Sequence, residues 1–143
     1  MTKKVLEKEE TTNQIKILTG RRKAGVARVR LWLEKNGKLL VNDKPIEEYF
    51  PGEVSKKVYL VPFEVVDRLG AFAGNIKVSG GGKEGQLYAV RHALSRALDS
   101  FDKEKFSPLL RKKKLLTRDP REKERRHYGG AGKARKQKQS PKR

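Results

Sequence analysis

The chain has 143 residues, with 36 Lys or Arg against 17 Asp or Glu, a formal net charge of +19, and no cysteine. The missing cysteines exclude disulfides and cysteine-ligated zinc, and no apolar run approaches the ~18 residues of a membrane-spanning helix. A basic excess of this size predicts self-repulsion unless phosphates neutralise it, so nucleic acid is the expected partner.

Composition divides the chain into three parts. Residues 1–18 mix both charge signs without a sustained apolar period or a secretion signal, which predicts a flexible extension on a cytoplasmic protein. Residues 19–106 have the regular apolar spacing of a globular body. Residues 107–143 form a basic C-terminal segment and tail.

Three cations, Arg21, Arg22 and Lys23, stand between small residues just before the first predicted strand. Guanidinium groups pair bidentately with phosphate, and neighbouring glycines allow the backbone to approach a nucleic acid closely. This pattern favours contact with RNA over a merely solvated turn.

Residues 27–33 alternate in a way that indicates a strand with one buried face. The buried face would hold Ala27, Val29, Leu31 and Leu33. Arg28 would lie on the opposite face. Asn36 and Gly37 suit the positive φ angles of a tight turn, so this strand and residues 39–41 are predicted to form a β-hairpin.

Helical and extended segments alternate over the rest of the body. Pro45 and the acids after it predict a short helical turn that ends before Pro51. A further helix is predicted to begin at Pro62 and end at Gly70, with Phe63, Val66 and Leu69 on one side. Ile76 and Val78 indicate another strand.

The longest helical period covers residues 84–101. Its apolar stripe comprises Leu87, Val90, Leu94, Ala97, Leu98 and Phe101, and Arg91, His92, Ser95 and Arg96 lie off that stripe. Two strands, helical material, a strand and a long helix in this order predict an α+β fold with helices on one face of the sheet.

Glycines between the last strand and the long helix, in residues 80–85, leave three interpretations open. They could form a turn that needs positive φ, contact an RNA phosphate, or bind a mononucleotide. The spacing fits neither common nucleotide-binding glycine motif.

Catalytic and metal sites are not expected. The two histidines, His92 and His127, have no cysteine partner and no i, i+4 spacing. No nucleophile–base arrangement follows from the spacing of the polar residues. We therefore predict a protein that is not an enzyme and has no cofactor, metal or small-molecule substrate.

The last 19 residues, 125–143, contain eight Lys or Arg and no Asp or Glu. They can bury too little apolar surface to offset the entropy of ordering, so their shape is predicted to come from a polyanion. Small residues alternate with the cations, which suits a chain that threads through folded RNA. Before this tail, Leu115 and Leu116 are predicted to dock on the body.

A series of short motifs runs through the chain in a fixed order. Its positions are residues 19–23, 27–29, 41–42, 49–50, 78–82, 85–86, 91–92, 96–98, 116–119, 133–135 and 142–143. In order and spacing they resemble the universal small-subunit ribosomal protein family called S-nine in bacterial nomenclature. The resemblance covers all but about the first eighteen residues.

This resemblance implies a mixed sheet of about four strands with helices on one face, bound in the rRNA of the small-subunit head. It also implies a tail that reaches toward tRNA in the peptidyl site, where Lys142 and Arg143 would make contact. The chain departs from the family pattern at Ser140 and Pro141, where an aromatic residue and serine usually stand.

Charge pattern and resemblance together select the residues expected to bind rRNA. These are Arg21, Arg22, Lys23, Arg28, Lys83, Arg91, Arg118, Arg121, Arg125, Arg126, Lys133, Arg135 and Lys136. Neighbouring small-subunit proteins are further expected partners. The alternatives are an architectural DNA-binding protein and, on the glycine loop, a nucleotide-using enzyme.

Overall fold

The computed structural model describes residues 15–129 and 134–135. The strands in these residues are β1 (Lys16–Arg22), β2 (Gly25–Leu33), β3 (Leu39–Val41), β4 (Lys44–Pro45) and β5 (Phe72–Ser79). The helices are α1 (Ile46–Tyr49), α2 (Glu53–Val65), α3 (Lys83–Phe101) and α4 (Lys103–Lys112). This architecture confirms the predicted α+β class. Within the described residues, no helix is both long and apolar enough to cross a bilayer.

The strands form one mixed sheet in the order β1-β2-β5-β3-β4. β1 pairs antiparallel with β2, and β2 pairs antiparallel with β5. β3 lies parallel to β5 on the other side and forms a short antiparallel pair with β4. The sheet therefore has five strands where about four were expected, the additional one being the two-residue β4.

The predicted hairpin between β2 and β3 is wrong, because β5 lies between these two strands. Asn36 does adopt a positive φ of 58°, but its N–H donates to the carbonyl of Gly70 at 2.8 Å. A Cβ on Gly37 would lie 2.6 Å from the Cβ of Ala73. The turn thus packs against the start of β5 and leads the chain around it.

β2 instead forms a hairpin with β1, and the turn between them contains Lys23 and Ala24. β1 begins at Lys16, so the predicted boundary between the extension and the body, after residue 18, falls inside a strand. Ile17 is 64% exposed, which explains why the apolar period of this edge strand is weak in the sequence.

The predicted start of the second helix, at Pro62, is also wrong. Helix α2 begins at Glu53 and contains Pro62 in its interior, where the sequence predicted a helix start. Pro62 is fully buried, so packing against the core offsets the backbone hydrogen bond that proline cannot make. Leu69, expected on the apolar side of that helix, is 59% exposed.

Helix α3 forms the centre of the core and covers one face of the sheet. Its predicted stripe is confirmed, since five of the six residues are buried and Phe101 is partly buried. Ser95, which lies off that stripe, is also fully buried, and its hydroxyl donates to the carbonyl of Arg91 at 2.8 Å. α2 and α4 both contact α3, so more than one side of this helix is enclosed.

The segment after α4 returns to the body, as the sequence predicted. Leu115 is 6% exposed and Leu116 packs partly buried against the core. The N–H of Leu115 donates to the carbonyl of Leu110 at 3.0 Å. The start of the C-terminal segment is therefore held against α3 before the basic tail begins.

Candidate nucleic-acid interface

The β1–β2 turn, helix α3 and the segment after α4 meet around a cleft of about 260 Å³. Lys23, at the tip of the turn, has a positive φ of 51°. We call the site the cationic cleft and define it by its charged lining: Arg21, Arg22, Lys23, Arg91, Lys114, Arg121, Glu84 and Asp119. Six cations thus face two acids in one concave site.

Close backbone contact brings β1 against α3 at this site. A Cβ on Gly20 would lie 2.3 Å from the carbonyl oxygen of Ala89 and 2.4 Å from the amide nitrogen of Ala93. A Cβ on Gly25 would lie 3.1 Å from the carbonyl group of Gly85. These glycines allow the hairpin to lie directly on the helix, which places the cations of both elements side by side.

His92 joins the hairpin to the segment after α4. The amide N–H of Arg21 donates to Nδ1 of His92 at 3.4 Å, and Nε2 lies 3.2 Å from the carbonyl oxygen of Leu116. This pair of contacts requires a neutral imidazole that carries its proton on Nε2. Both partners of His92 are protein backbone, so this side chain links two segments of the chain that are distant in the sequence.

The surroundings of His92 favour its neutral form. Burial lowers the pKa of the imidazole below its ordinary value of 6.5. The carbonyl of Leu116 acts in the opposite direction, and the guanidinium groups of Arg96, Arg118 and Arg91 lower the pKa further. The histidine therefore supports the cleft without adding a charge to it.

Arg22 is directed at protein atoms. Its Nη1 donates to the carbonyl of Arg121 at 2.8 Å and lies 2.9 Å from Oδ1 of Asp119. Only 18% of the Arg22 side chain is exposed. Of the three cations predicted to contact RNA at this turn, Arg22 thus anchors the segment after α4.

Asp119 is neutralised within the cleft by a second arginine. Nε and Nη2 of Arg121 donate to the two carboxylate oxygens at 3.0 and 2.7 Å. These hydrogen bonds, with the charge of Arg22, hold the pKa of Asp119 well below its ordinary range. The carboxylate is shared between two guanidinium groups and repels an approaching phosphate correspondingly less.

The glycine loop forms a turn and lies beside the hairpin. Gly80 and Gly81 have φ angles of 73° and 63°, as the turn interpretation requires. A Cβ on Gly80 would lie 2.5 Å from the carbonyl oxygen of Ala24. Lys83, predicted to bind rRNA, has its ammonium 3.5 Å from the centre of the Tyr49 ring, so it stacks on an aromatic side chain of α1.

The remaining predicted residues occupy three other places. Arg28 lies on the face of the sheet that the helices leave uncovered. Arg118, Arg125 and Arg126 are exposed along the start of the tail. Arg135 pairs with Glu124 at 2.6 and 3.0 Å, which lowers the pKa of the carboxyl. Lys133, Lys136, Lys142 and Arg143 lie outside the described residues.

Lys114 is the cleft cation that was not predicted from the sequence. It ends a run of four consecutive cations, residues 111–114. This run could have indicated a phosphate-binding position in the sequence. Within the described residues, no group of three or more His, Asp or Glu could hold a metal ion.

Comparisons with known proteins agree on one family. The profile of the family described as ribosomal protein S9/S16 matches residues 20–143. The chain is 47% identical over 114 residues to the small ribosomal subunit protein uS9 of Solidesulfovibrio magneticus, covering 80% of this chain and 86% of that protein. Proteins of the same name in Maridesulfovibrio salexigens and Anaeromyxobacter sp. are 46% identical over 114 residues and 42% identical over 119 residues. The match to the Maridesulfovibrio protein covers 80% of this chain and 86% of that protein. The match to the Anaeromyxobacter protein covers 83% of this chain and 90% of that protein.

Proposed function

The chain belongs to the ribosomal protein S9/S16 family, and from this membership we propose that it binds rRNA as a structural component of the small ribosomal subunit. The coarser part of this role, a structural and non-catalytic ribosomal protein acting in the cytoplasm, follows from the family itself. The proposal adds the surface that carries rRNA binding and the mode of binding.

The cationic cleft is the observation that carries this proposal. Its lining comes from three separate parts of the sequence and holds six Lys or Arg against two acids. One of those acids, Asp119, is already bonded to Arg121 and Arg22. The net positive charge left in a concave site suits the phosphates of a folded RNA backbone.

The exposed cations of the tail continue this surface. Arg22 and His92 fix the segment after α4 beside the hairpin, so the chain leaves the body directly from the cleft. Arg118, Arg125 and Arg126 follow in exposed positions. The proposal extends to the remaining tail cations, with Lys133, Arg135 and Lys136 on rRNA.

At the end of the chain, Lys142 and Arg143 are proposed to contact tRNA in the peptidyl site. This part of the proposal is supported by the positions of the two residues within the family pattern. Pro141 lacks an amide donor and fixes φ near −65°, so the contacts at the tip are assigned to the side chains of its neighbours.

The mechanism is electrostatic and steric. Lysine and arginine side chains neutralise phosphates where rRNA segments approach one another, and counterion release supplies much of the binding free energy. Contacts with phosphate and sugar position the chain, and 2′-hydroxyl groups favour RNA over DNA. Neighbouring small-subunit proteins are proposed as further partners.

Sedimentation tests this function in a cell extract. A tagged full-length chain should travel with small subunits and stay bound after a high-salt wash. The variant K23Q/R91Q/K114Q, which removes three cleft cations, should partly dissociate in that wash. The matched variant K35Q/K57Q/K103Q removes three exposed lysines elsewhere and should behave like the unchanged chain. A full-length chain that stays at the top of the gradient contradicts the proposal.

A further inference from the structure

The sheet has one face that none of the described helices covers. Strand alternation and register place two rows of side chains there. Ile17, Arg30, Asn75 and Leu40 form one row across four strands, and Thr19, Arg28 and Lys77 form the next. We call this surface the open face. Its centre is a shallow depression of about 220 Å³ lined by Ile17, Arg28, Arg30, Asn75 and Lys77.

The charges of the open face are all positive. Arg28, Arg30 and Lys77 are exposed, and none of them forms an ion pair with a described residue. No acid lines the depression. Like charges directly opposite on neighbouring strands, such as Arg28 and Lys77, destabilise a sheet. A polyanion across both strands removes that repulsion.

Asn75 adds an unsatisfied polar group between the cations. Its Oδ1 is buried and has no hydrogen-bond partner among the described residues. Asn75 stands directly opposite Arg30 in the register. Asn75 also lines the depression between the cations, and RNA offers phosphate oxygens for the cations and 2′-hydroxyl groups for a polar side chain on every nucleotide.

The open face is separate from the cationic cleft. The cleft lies beside α3, which packs on the other face of the sheet. The five residues that line the depression include none of the cleft residues. The same β1–β2 hairpin thus contributes cations to two surfaces. Of the cations on the open face, only Arg28 was predicted from the sequence to bind rRNA.

We propose that the open face is a second RNA-binding surface, so that the chain is held between two RNA segments on opposite sides of its sheet. The proposal rests on the rRNA-binding function proposed above and adds a second point of attachment to it. Phosphates lie against Arg28, Arg30 and Lys77, and a ribose hydroxyl or base edge contacts Asn75.

Trp32 provides a direct probe of this surface. It is the only tryptophan of the chain and shares the alternating face of Arg28 and Arg30 on β2. Its indole N–H donates to Oε2 of Glu34 at 2.9 Å, and the side chain is partly exposed. Because it is the single tryptophan, the emission of the full chain reports on one position, in the row next to Arg30 on the same side of β2.

The experiment titrates the full chain with a transcript of the small-subunit rRNA and measures both RNA binding and acrylamide quenching of Trp32. RNA should protect Trp32 from acrylamide. The variant R28Q/R30Q/K77Q should lose this protection and reduce the slope of log K against log salt by about 2, at ~0.7 per phosphate for three contacts. R28K/R30K keeps the charges and should retain the protection.

Two controls separate the surfaces. K23Q/R91Q/K114Q should weaken RNA binding but leave Trp32 protected in the complex. Circular dichroism of R28Q/R30Q/K77Q should match the unchanged chain, and R28K/R30K gives the comparison at constant charge.

The possible outcomes separate the second RNA-binding surface from the proposed rRNA-binding function. If RNA binds and Trp32 stays equally accessible to acrylamide, the second surface is wrong and the rRNA-binding function stands. If no RNA binds the full chain, the proposed function fails, and the second surface with it. If Trp32 becomes protected only when other small-subunit proteins are added, the open face docks protein and the inference is overturned.

Discussion

Gly20 is the residue at which β1 comes closest to α3. Substitution by alanine would place a Cβ 2.3 Å from the carbonyl oxygen of Ala89. This distance is shorter than a van der Waals contact, so the two backbone segments would have to move apart. We expect Gly20→Ala to lower the free energy of unfolding by about 1–3 kcal/mol, the usual cost of forcing atoms into a packed core. Denaturant unfolding measures this change.

Gly82→Ala is the matched control for that measurement. Gly82 precedes α3, has a φ of −98°, and has no heavy atom within 4 Å of its ideal Cβ. Its substitution should change the free energy of unfolding by less than about 1 kcal/mol. Equal effects of the two substitutions would show that β1 does not lie directly on α3.

His92 makes stability depend on pH. Its pKa is lowered in the folded chain, chiefly by burial, from an ordinary value of 6.5. The unfolded chain therefore binds the proton more readily, and the free energy of unfolding should fall as the pH drops from about 6.5 toward the lower folded pKa. Above pH 7 this contribution to the pH dependence vanishes.

The histidine can be tested with a side chain that does not titrate. His92→Gln should flatten the dependence of unfolding free energy on pH just below 6.5, whereas His127→Gln, at the other histidine, should leave it in place. Thermal unfolding in buffers between pH 5 and 8 measures both. A His92→Gln profile that matches the unchanged chain would show that His92 does not link the hairpin to Leu116 in its neutral form.

Much of the residue pattern could be predicted from sequence, because a strand or helix with one buried face repeats at a fixed period. Ala27, Val29 and Leu31 are all fully buried, as their alternation indicated, whereas Leu33, predicted on the same buried face, is 38% exposed at the end of β2. Ser95 is fully buried although it lies off the apolar stripe of α3, so the helical period did not predict its burial. The role of Arg22 as an anchor for the segment after α4 could not be predicted either, because its partners lie about a hundred residues away in the sequence.

At the scale of elements, the segment after α4 depends on Arg22. The Arg22 guanidinium contacts both Asp119 and Arg121. Arg22→Gln should release this segment from the hairpin, and the amide N–H of Arg121, which donates to Oδ1 of Asp119 at 3.0 Å, should exchange faster with deuterium. Hydrogen exchange with mass spectrometry of the full chain measures this.

Two further variants define the cause. Arg22→Lys keeps the charge but loses the planar fork, so it should restore protection only in part. Arg28→Gln removes an arginine from the open face and should leave exchange at Arg121 unchanged. Unaltered exchange in Arg22→Gln would mean that Leu115 and Leu116 hold the segment without the arginine.

The elements that sequence reasoning missed share a physical cause. Asn36 and Gly37 do form a turn with positive φ at Asn36, but local chemistry cannot reveal that β5, more than thirty residues later, inserts beside β2. Pro62 reads locally as a helix start, and only its full burial in the core shows why α2 continues through it. Strand order and interior prolines are decided by tertiary packing.

For the whole molecule, composition and resemblance predicted the class of fold and the polyanionic partner. They did not predict that the body cations divide between two surfaces. That division follows from the register of β2 with β5 and from the side of the sheet on which α3 packs. The charge of the tail and its shortage of bulky apolar residues are visible in the sequence, and its folding on a polyanion stays a prediction.

We expect the chain to be anchored to rRNA electrostatically, with its C-terminal tail as a main anchor. The measurement is the slope of log K against log salt for binding to small-subunit rRNA, for the full chain and for a chain that ends at Glu124. Removing residues 125–143 deletes eight cations. If about six of them meet phosphates, the slope should become shallower by about 4, at ~0.7 per phosphate. An unchanged slope would show that the tail does not anchor the chain to rRNA electrostatically.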